Sequence, residues 1–112
     1  MESKEIEYIE RELKKFQFNR STIGYKCIKK GLCIAIREPS LLYSLSSKLY
    51  YRIANDMRLE KTRVKWNIER AINQMYINTD MKLLMKYFSL DNNEKITPKL
   101  FFMTIIDKYT IK

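Results

Sequence analysis

With 112 residues, 46% of them hydrophobic, the chain can build one modest core, and a single domain spanning residues 1–112 is expected. It contains no histidine, which excludes a histidine general base, a Ser-His or Cys-His nucleophile pair and a zinc-finger ligand set. The formal charge of +9 points instead to an anionic partner.

Two glycines and two prolines leave little material for hairpin turns, so an all-α protein is expected. Cys27 and Cys33 are six residues apart, about 240° of helical rotation, and a local disulfide between them is not expected. The N-terminus lacks the basic start and apolar run of a signal peptide, and no run reaches membrane-spanning length; the expectation is a cytoplasmic protein with reduced thiols. No glycine-rich phosphate loop is present. Asp91 and Glu94 lie in a polar stretch without a convergent third ligand, so neither a metal nor a cofactor is expected, and an enzyme is the least favoured class.

The positive charge is unevenly distributed. Residues 1–20 are neutral, residues 21–56 carry +4, residues 57–76 carry +3 and residues 77–112 carry +2. The basic middle of the chain is either a solvated lysine-rich surface or the place where a nucleic acid backbone docks, since each phosphate neutralised there would release counterions.

In chain order, residues 2–17 place Ile6, Ile9, Leu13 and Phe16 at spacings of three and four, predicting an amphipathic helix. Polar residues from Phe18 to Thr22 then interrupt the pattern, and a second helix is predicted from about Thr22 to Arg37 with Ile28, Leu32, Ala35 and Ile36 inward. Lys26, Lys29 and Lys30 cluster near its start, as solvated lysines or as contacts to a DNA backbone. Pro39 ends this helix, since it cannot donate to the ladder and restricts the residue before it.

A turn around Ser40 to Tyr43 leads to a helix over about Leu45 to Met57, with Leu49, Ile53, Ala54 and Met57 inward. The apolar rhythm breaks at Met57 to Leu59 and restarts, which is the pattern of a helix-turn-helix over about Leu45 to Tyr76. The turn Arg58-Leu59-Glu60 lacks the glycine common in such turns, and Leu59 is expected to pin it to the core.

In the helix that follows, Val64, Ile68, Ala71, Ile72 and Met75 share one side at about 100° per residue. Thr62, Trp66, Glu69, Arg70 and Asn73 therefore face away from the core. Two readings of Trp66 stay open: its face meets a partner, or another helix covers it.

A short helix is predicted over Met81 to Phe88, a polar loop over Ser89 to Lys95, and a last helix from Thr97-Pro98 to about Tyr109. Threonine as N-cap followed by proline at the first helical position is a strong start signal. Six helices in one unit result.

The strings GYKCIKKGL (Gly24 to Leu32), EPSLLYSLSSKLYYRIA (Glu38 to Ala54), TRVKWNIERAI (Thr62 to Ile72), NNEK and IIDKY occur in this order and spacing. By them the chain resembles, over nearly all its length, the C-terminal DNA-binding effector domain of the stage zero sporulation master regulator of endospore-forming bacteria. The resemblance implies a compact six-helix domain whose helix at about 60–76 enters the DNA major groove, and binding to short promoter boxes, often as tandem copies. The framework matches at Arg63, Val64, Ile68, Ala71 and Ile72. Where the family has Glu, Arg, Arg and His in turn, this chain has Lys65, Trp66, Glu69 and Arg70, so the family's target sequence does not transfer. Full-length members carry a receiver domain, whereas about twenty residues precede the match here. Met1 favours a protein that never had a receiver over an excised fragment, and its control would then rest on abundance or a partner.

Double-stranded DNA is thus the expected partner. Arg63, Lys65 and Arg70 are expected at phosphates or guanine, Thr62, Glu69 and Asn73 at base edges, Trp66 at a thymine methyl or sugars, and Lys48, Arg52 and Lys61 as duplex-positioning groups. The alternative is a protein-interaction module of the same fold, with Trp66 as anchor, which pairs with the full-length regulator.

Overall fold

The computed structural model describes residues 3–91 and 94–111. Among them the α-helices are α1 (Lys4–Leu13), α2 (Ile23–Arg37), α3 (Tyr50–Met57), α4 (Lys61–Asn78), α5 (Met81–Phe88) and α6 (Pro98–Ile111), with no strand. A 3-10 helix, Pro39–Ser44, and a π-helical segment, Leu45–Leu49, join α2 to α3. The all-α, six-helix expectation is met.

Local chemistry explains most of the boundaries. Ser3 and Thr22 cap α1 and α2 by accepting from the N–H of Ile6 (3.1 Å) and Tyr25 (3.2 Å). Thr97 likewise accepts from the Leu100 N–H at 3.1 Å, and Pro98 opens α6. Glu38, forced out of helical geometry ahead of Pro39, ends α2 with φ −140° and ψ 71°.

Three stretches differ from the sequence expectation. The first helix ends at Leu13, yet Phe16 remains buried because the chain beyond it folds back among Phe18, Tyr87, Phe88 and Phe101. The predicted start Glu2 lies outside the described residues. The first helix of the motif is not α-helical throughout: the Tyr50 N–H donates to the Leu45 carbonyl, five residues back, and only then does α3 begin. That wider turn keeps Leu49 and Ile53 fully buried while leaving Ser46 to Lys48 exposed. The loop after α5 is less polar than expected, since Leu90 and Ile96 are buried; Asn92 and Asn93 lie outside the described residues.

One hydrophobic core joins all six helices, with Ile9, Ile28, Leu32, Ile53, Ile68, Phe101, Phe102 and Ile105 fully enclosed. Two glycines of α2 set the spacing of its neighbours. A Cβ on Gly24 would lie 2.3 Å from the Asn67 carbonyl oxygen and 2.8 Å from the Ala71 Cβ of α4. One on Gly31 would lie 2.9 Å from Ile53 Cδ1 of α3 and 3.0 Å from Phe102 Cε1 of α6.

Polar ties hold α1 to the far end of the chain. Glu12, 2% exposed, accepts from the Tyr87 hydroxyl at 2.7 Å and pairs with Lys15 at 3.0 Å. The Tyr8 hydroxyl donates to the Ile105 carbonyl at 2.6 Å. Burial, with the Glu12 charge, pushes Tyr8 up to about 12 and Tyr87 higher still, so both phenols remain donors at neutral pH. Tyr87→Phe is expected to cost about 1–3 kcal/mol, because it strips a donor from a buried carboxylate, and to lower the urea midpoint accordingly. An unchanged midpoint would mean that the hydroxyl is dispensable.

Candidate nucleic-acid interface

Helix α4 packs by one side only. Val64, Ile68, Ile72 and Met75 are buried, and Ala71 is half-buried over Gly24 of α2, which is the stripe expected from the sequence. The opposite side is open: Thr62, Trp66, Arg70 and Asn73 are exposed. Trp66 is 73% exposed, so the reading in which another helix covers it is excluded by the fold.

The side chains beside this open face belong to its two flanks. On the α3 flank, Glu69 is half-buried beside Tyr50, whose hydroxyl is pushed upward by its own burial and then by the Glu69 charge. On the other flank Arg70 leans over a cleft of about 410 Å³ lined also by Gln17, Asn19, Thr22, Asn67 and Gln74. Beside that cleft the Gln17 N–H donates to buried Thr79 at the end of α4 (2.9 Å), tying the chain between α1 and α2 to that helix. Between the flanks, Trp66, Asn67, Glu69, Arg70, Asn73 and Gln74 border a shallow depression of about 480 Å³.

Lys61, Arg63 and Lys65 are exposed at the start of α4. Glu60 occupies the N-cap position without capping, so the positive end of this helix keeps its first N–H groups free of a side-chain acceptor among the described residues. Lys48 and Arg52 come from the π-helical segment and α3, and both are exposed. Arg52 is already paired with Glu38 at 3.4 Å. Among the lysines at the start of α2, Lys29 is committed to Glu10 at 2.7 Å, which holds Glu10 below and Lys29 above their usual ranges, while Lys26 and Lys30 are exposed.

Two features of the face were not singled out from the sequence. Ile77 is 73% exposed and follows Trp66 by eleven residues, about 20° from the same direction, so the same angular count would have found it. Asn67 donates from Nδ2 to the Arg63 carbonyl at 2.8 Å and thus braces the first turns of α4, a role without a sequence signal.

Cys27 is buried and its thiol is pushed up to about 11 by burial, and burial also raises Cys33; neither is a reactive thiolate at neutral pH, and both are free. Among the described residues no group of three metal-ligating side chains comes together, and no helix is long and apolar enough to cross a membrane.

An open helix face with a basic start, set on a partner helix across a short turn, is a helix-turn-helix arrangement. Comparison with known families gives the particular one: the model for the sporulation initiation factor Spo0A C terminal matches residues 9–109, and the chain belongs to that family. The family is one of DNA-binding transcription-regulator domains rather than of enzymes. No curated protein matches the chain.

Proposed function

We propose that the chain is a sequence-specific DNA-binding protein that regulates transcription by inserting α4 into the major groove. The observation that carries this reading is the one-sided burial of α4, which leaves Thr62, Trp66, Arg70 and Asn73 free to approach bases while Val64, Ile68, Ile72 and Met75 anchor the helix. Arg63, Lys65 and Arg70 serve phosphates or guanine, Thr62, Glu69 and Asn73 serve base edges, and Lys48, Arg52 and Lys61 position the duplex. Glu69 accepts from a donor such as cytosine N4, and Trp66 contacts a thymine methyl or sugars. The chain acts as one folding unit, in the cytoplasm, as a homodimer or as tandem copies on DNA.

Selection of bound duplexes from a random pool tests this directly. Enrichment of a defined motif is expected; a pool that stays random at moderate ionic strength sinks the proposal.

A second reading has its own support, because Trp66 and Ile77, both 73% exposed, point the same way from α4 about three turns apart, and an exposed tryptophan is the kind of side chain that anchors protein interfaces. In it the domain binds the full-length regulator instead of reading DNA. Trp66→Ala separates the two: the DNA reading expects affinity for the selected duplex to fall about tenfold, equivalent to about 1.4 kcal/mol, as measured by fluorescence anisotropy. Unchanged DNA affinity with lost protein partnering favours the interaction module.

A further inference from the structure

The turn between α3 and α4 carries an ill-suited residue at its tightest point. Arg58 has φ 56° and ψ 48°, the left-handed region, where a Cβ crowds the backbone and glycine or asparagine is the usual occupant. The conformation itself is required by the fold. It lets the N–H groups of Arg58 and Leu59 both reach the Ala54 carbonyl, the latter at 2.9 Å, and lets Leu59 pack on the core. Glycine would meet every one of these requirements with less strain.

What arginine adds is a charged side chain, and the fold makes no use of it. The residue is exposed, and among the described residues no hydrogen bond or ion pair engages its guanidinium. A second left-handed residue shows the contrast. Ser89 has φ 53° and ψ 46° and closes α5 in the same way, with the Leu90 N–H on the Met85 carbonyl at 3.0 Å, yet its side chain is small and neutral.

The placement of Arg58 says what its charge is for. It stands three residues before Lys61, ahead of the uncapped start of α4, and Arg58, Lys61, Arg63 and Lys65 put four cations against the one carboxylate of Glu60 in eight residues. We infer that Arg58 binds a phosphate of the DNA backbone at the mouth of the groove that α4 enters, and that this contact is why the turn holds an arginine in a glycine conformation. The inference rests on the DNA-binding reading of α4. Phosphate contacts fix register without reading bases, so Arg58 acts as a positioning group for Thr62, Trp66 and the other outward side chains.

The test compares Arg58→Gly, Arg58→Asn, Arg58→Lys and Ser89→Gly with the parent chain, measuring thermal unfolding and binding to a fixed 30-base-pair duplex across a salt series. Arg58→Gly and Arg58→Asn are expected to raise Tm by about 2–4 °C as strain is relieved. Both are expected to bind DNA about five- to tenfold more weakly, with a slope of log affinity against log salt shallower by about 0.9. The loss should be equal on selected and unrelated duplexes, and Arg58→Lys should recover most of the affinity. Ser89→Gly should raise Tm to a similar extent and leave DNA binding unchanged.

Arg58→Gly or Arg58→Asn that binds as tightly as the parent, with the same salt slope, overturns the inference while leaving the role of α4 intact. A parent chain that binds no duplex overturns the role of α4 and this inference with it.

Discussion

Gly24→Ala is expected to destabilise the domain by about 3 kcal/mol, against the direction that helix propensity alone would give. In an open helix alanine is better than glycine by about 1 kcal/mol, and Gly24 sits in the first turn of α2, where the exchange would ordinarily help or do nothing. Here the added Cβ meets the Asn67 carbonyl oxygen at 2.3 Å and the Ala71 Cβ at 2.8 Å. The first of these is backbone, which cannot rotate aside as a flexible side chain does, so α2 and α4 must separate. Because α4 carries the proposed DNA-reading side chains and Asn67 braces its first turns, the separation reaches the interface as well as the core. Thermal unfolding should show Tm lower by roughly 10–15 °C, and DNA affinity should fall even well below the new midpoint. A Tm equal to or above that of the parent would show that the two helices do not approach this closely.

The second large effect is on the salt dependence of DNA binding. Lys48, Arg52, Arg58, Lys61, Arg63, Lys65 and Arg70 are all exposed, and if about six of these cations neutralise phosphates log affinity falls with log salt at a slope of roughly −5. Between 50 and 200 mM salt that amounts to a loss of about a thousandfold. Arg52 provides an internal check on the count. It is paired with Glu38 at 3.4 Å in an exposed position, where such pairs are worth about 0–1 kcal/mol, so a phosphate can capture it. If Arg52 stays with Glu38, the slope becomes shallower by about 0.9, and Glu38→Gln restores it. Titrations by fluorescence anisotropy at five or six salt concentrations measure the slope directly; a flat response would remove DNA as the partner.

Both predictions concern α4 and its neighbours, and the sequence was an uneven guide to them. The phase of α4 was legible: the buried stripe from Val64 to Met75 follows from helical rotation, and so does the outward direction of Thr62, Trp66, Arg70 and Asn73, whereas Glu69, expected to face outward with them, is half-buried beside Tyr50 of α3. The start of α6 was equally plain, since Thr97 and Pro98 act through bonds that close within one turn. The expected continuous helix over Leu45 to Met57 was less accurate. A π-helical turn differs from an α-helical one by a single residue per hydrogen bond, and the same leucine spacing fits both until Leu41, Leu42 and Leu49 must reach one core together.

Composition and periodicity by themselves determined the all-helical class, the six helices and the helix-turn-helix, because each depends on residues within a few turns of one another; the family was legible only through the resemblance of its strings. Only the tertiary structure decided the exposure of Trp66, the interlock of Gly24 with Asn67, and the burial of Glu12 beneath Tyr87, 75 residues away. Which surface a helix shows to water depends on the elements that pack against it, and those arrive from distant parts of the chain. The strained Arg58 joins the two levels: its missing glycine is visible in the string Met57-Arg58-Leu59, but that it adopts a left-handed conformation, with its side chain unengaged among the described residues, is a property of the folded turn alone.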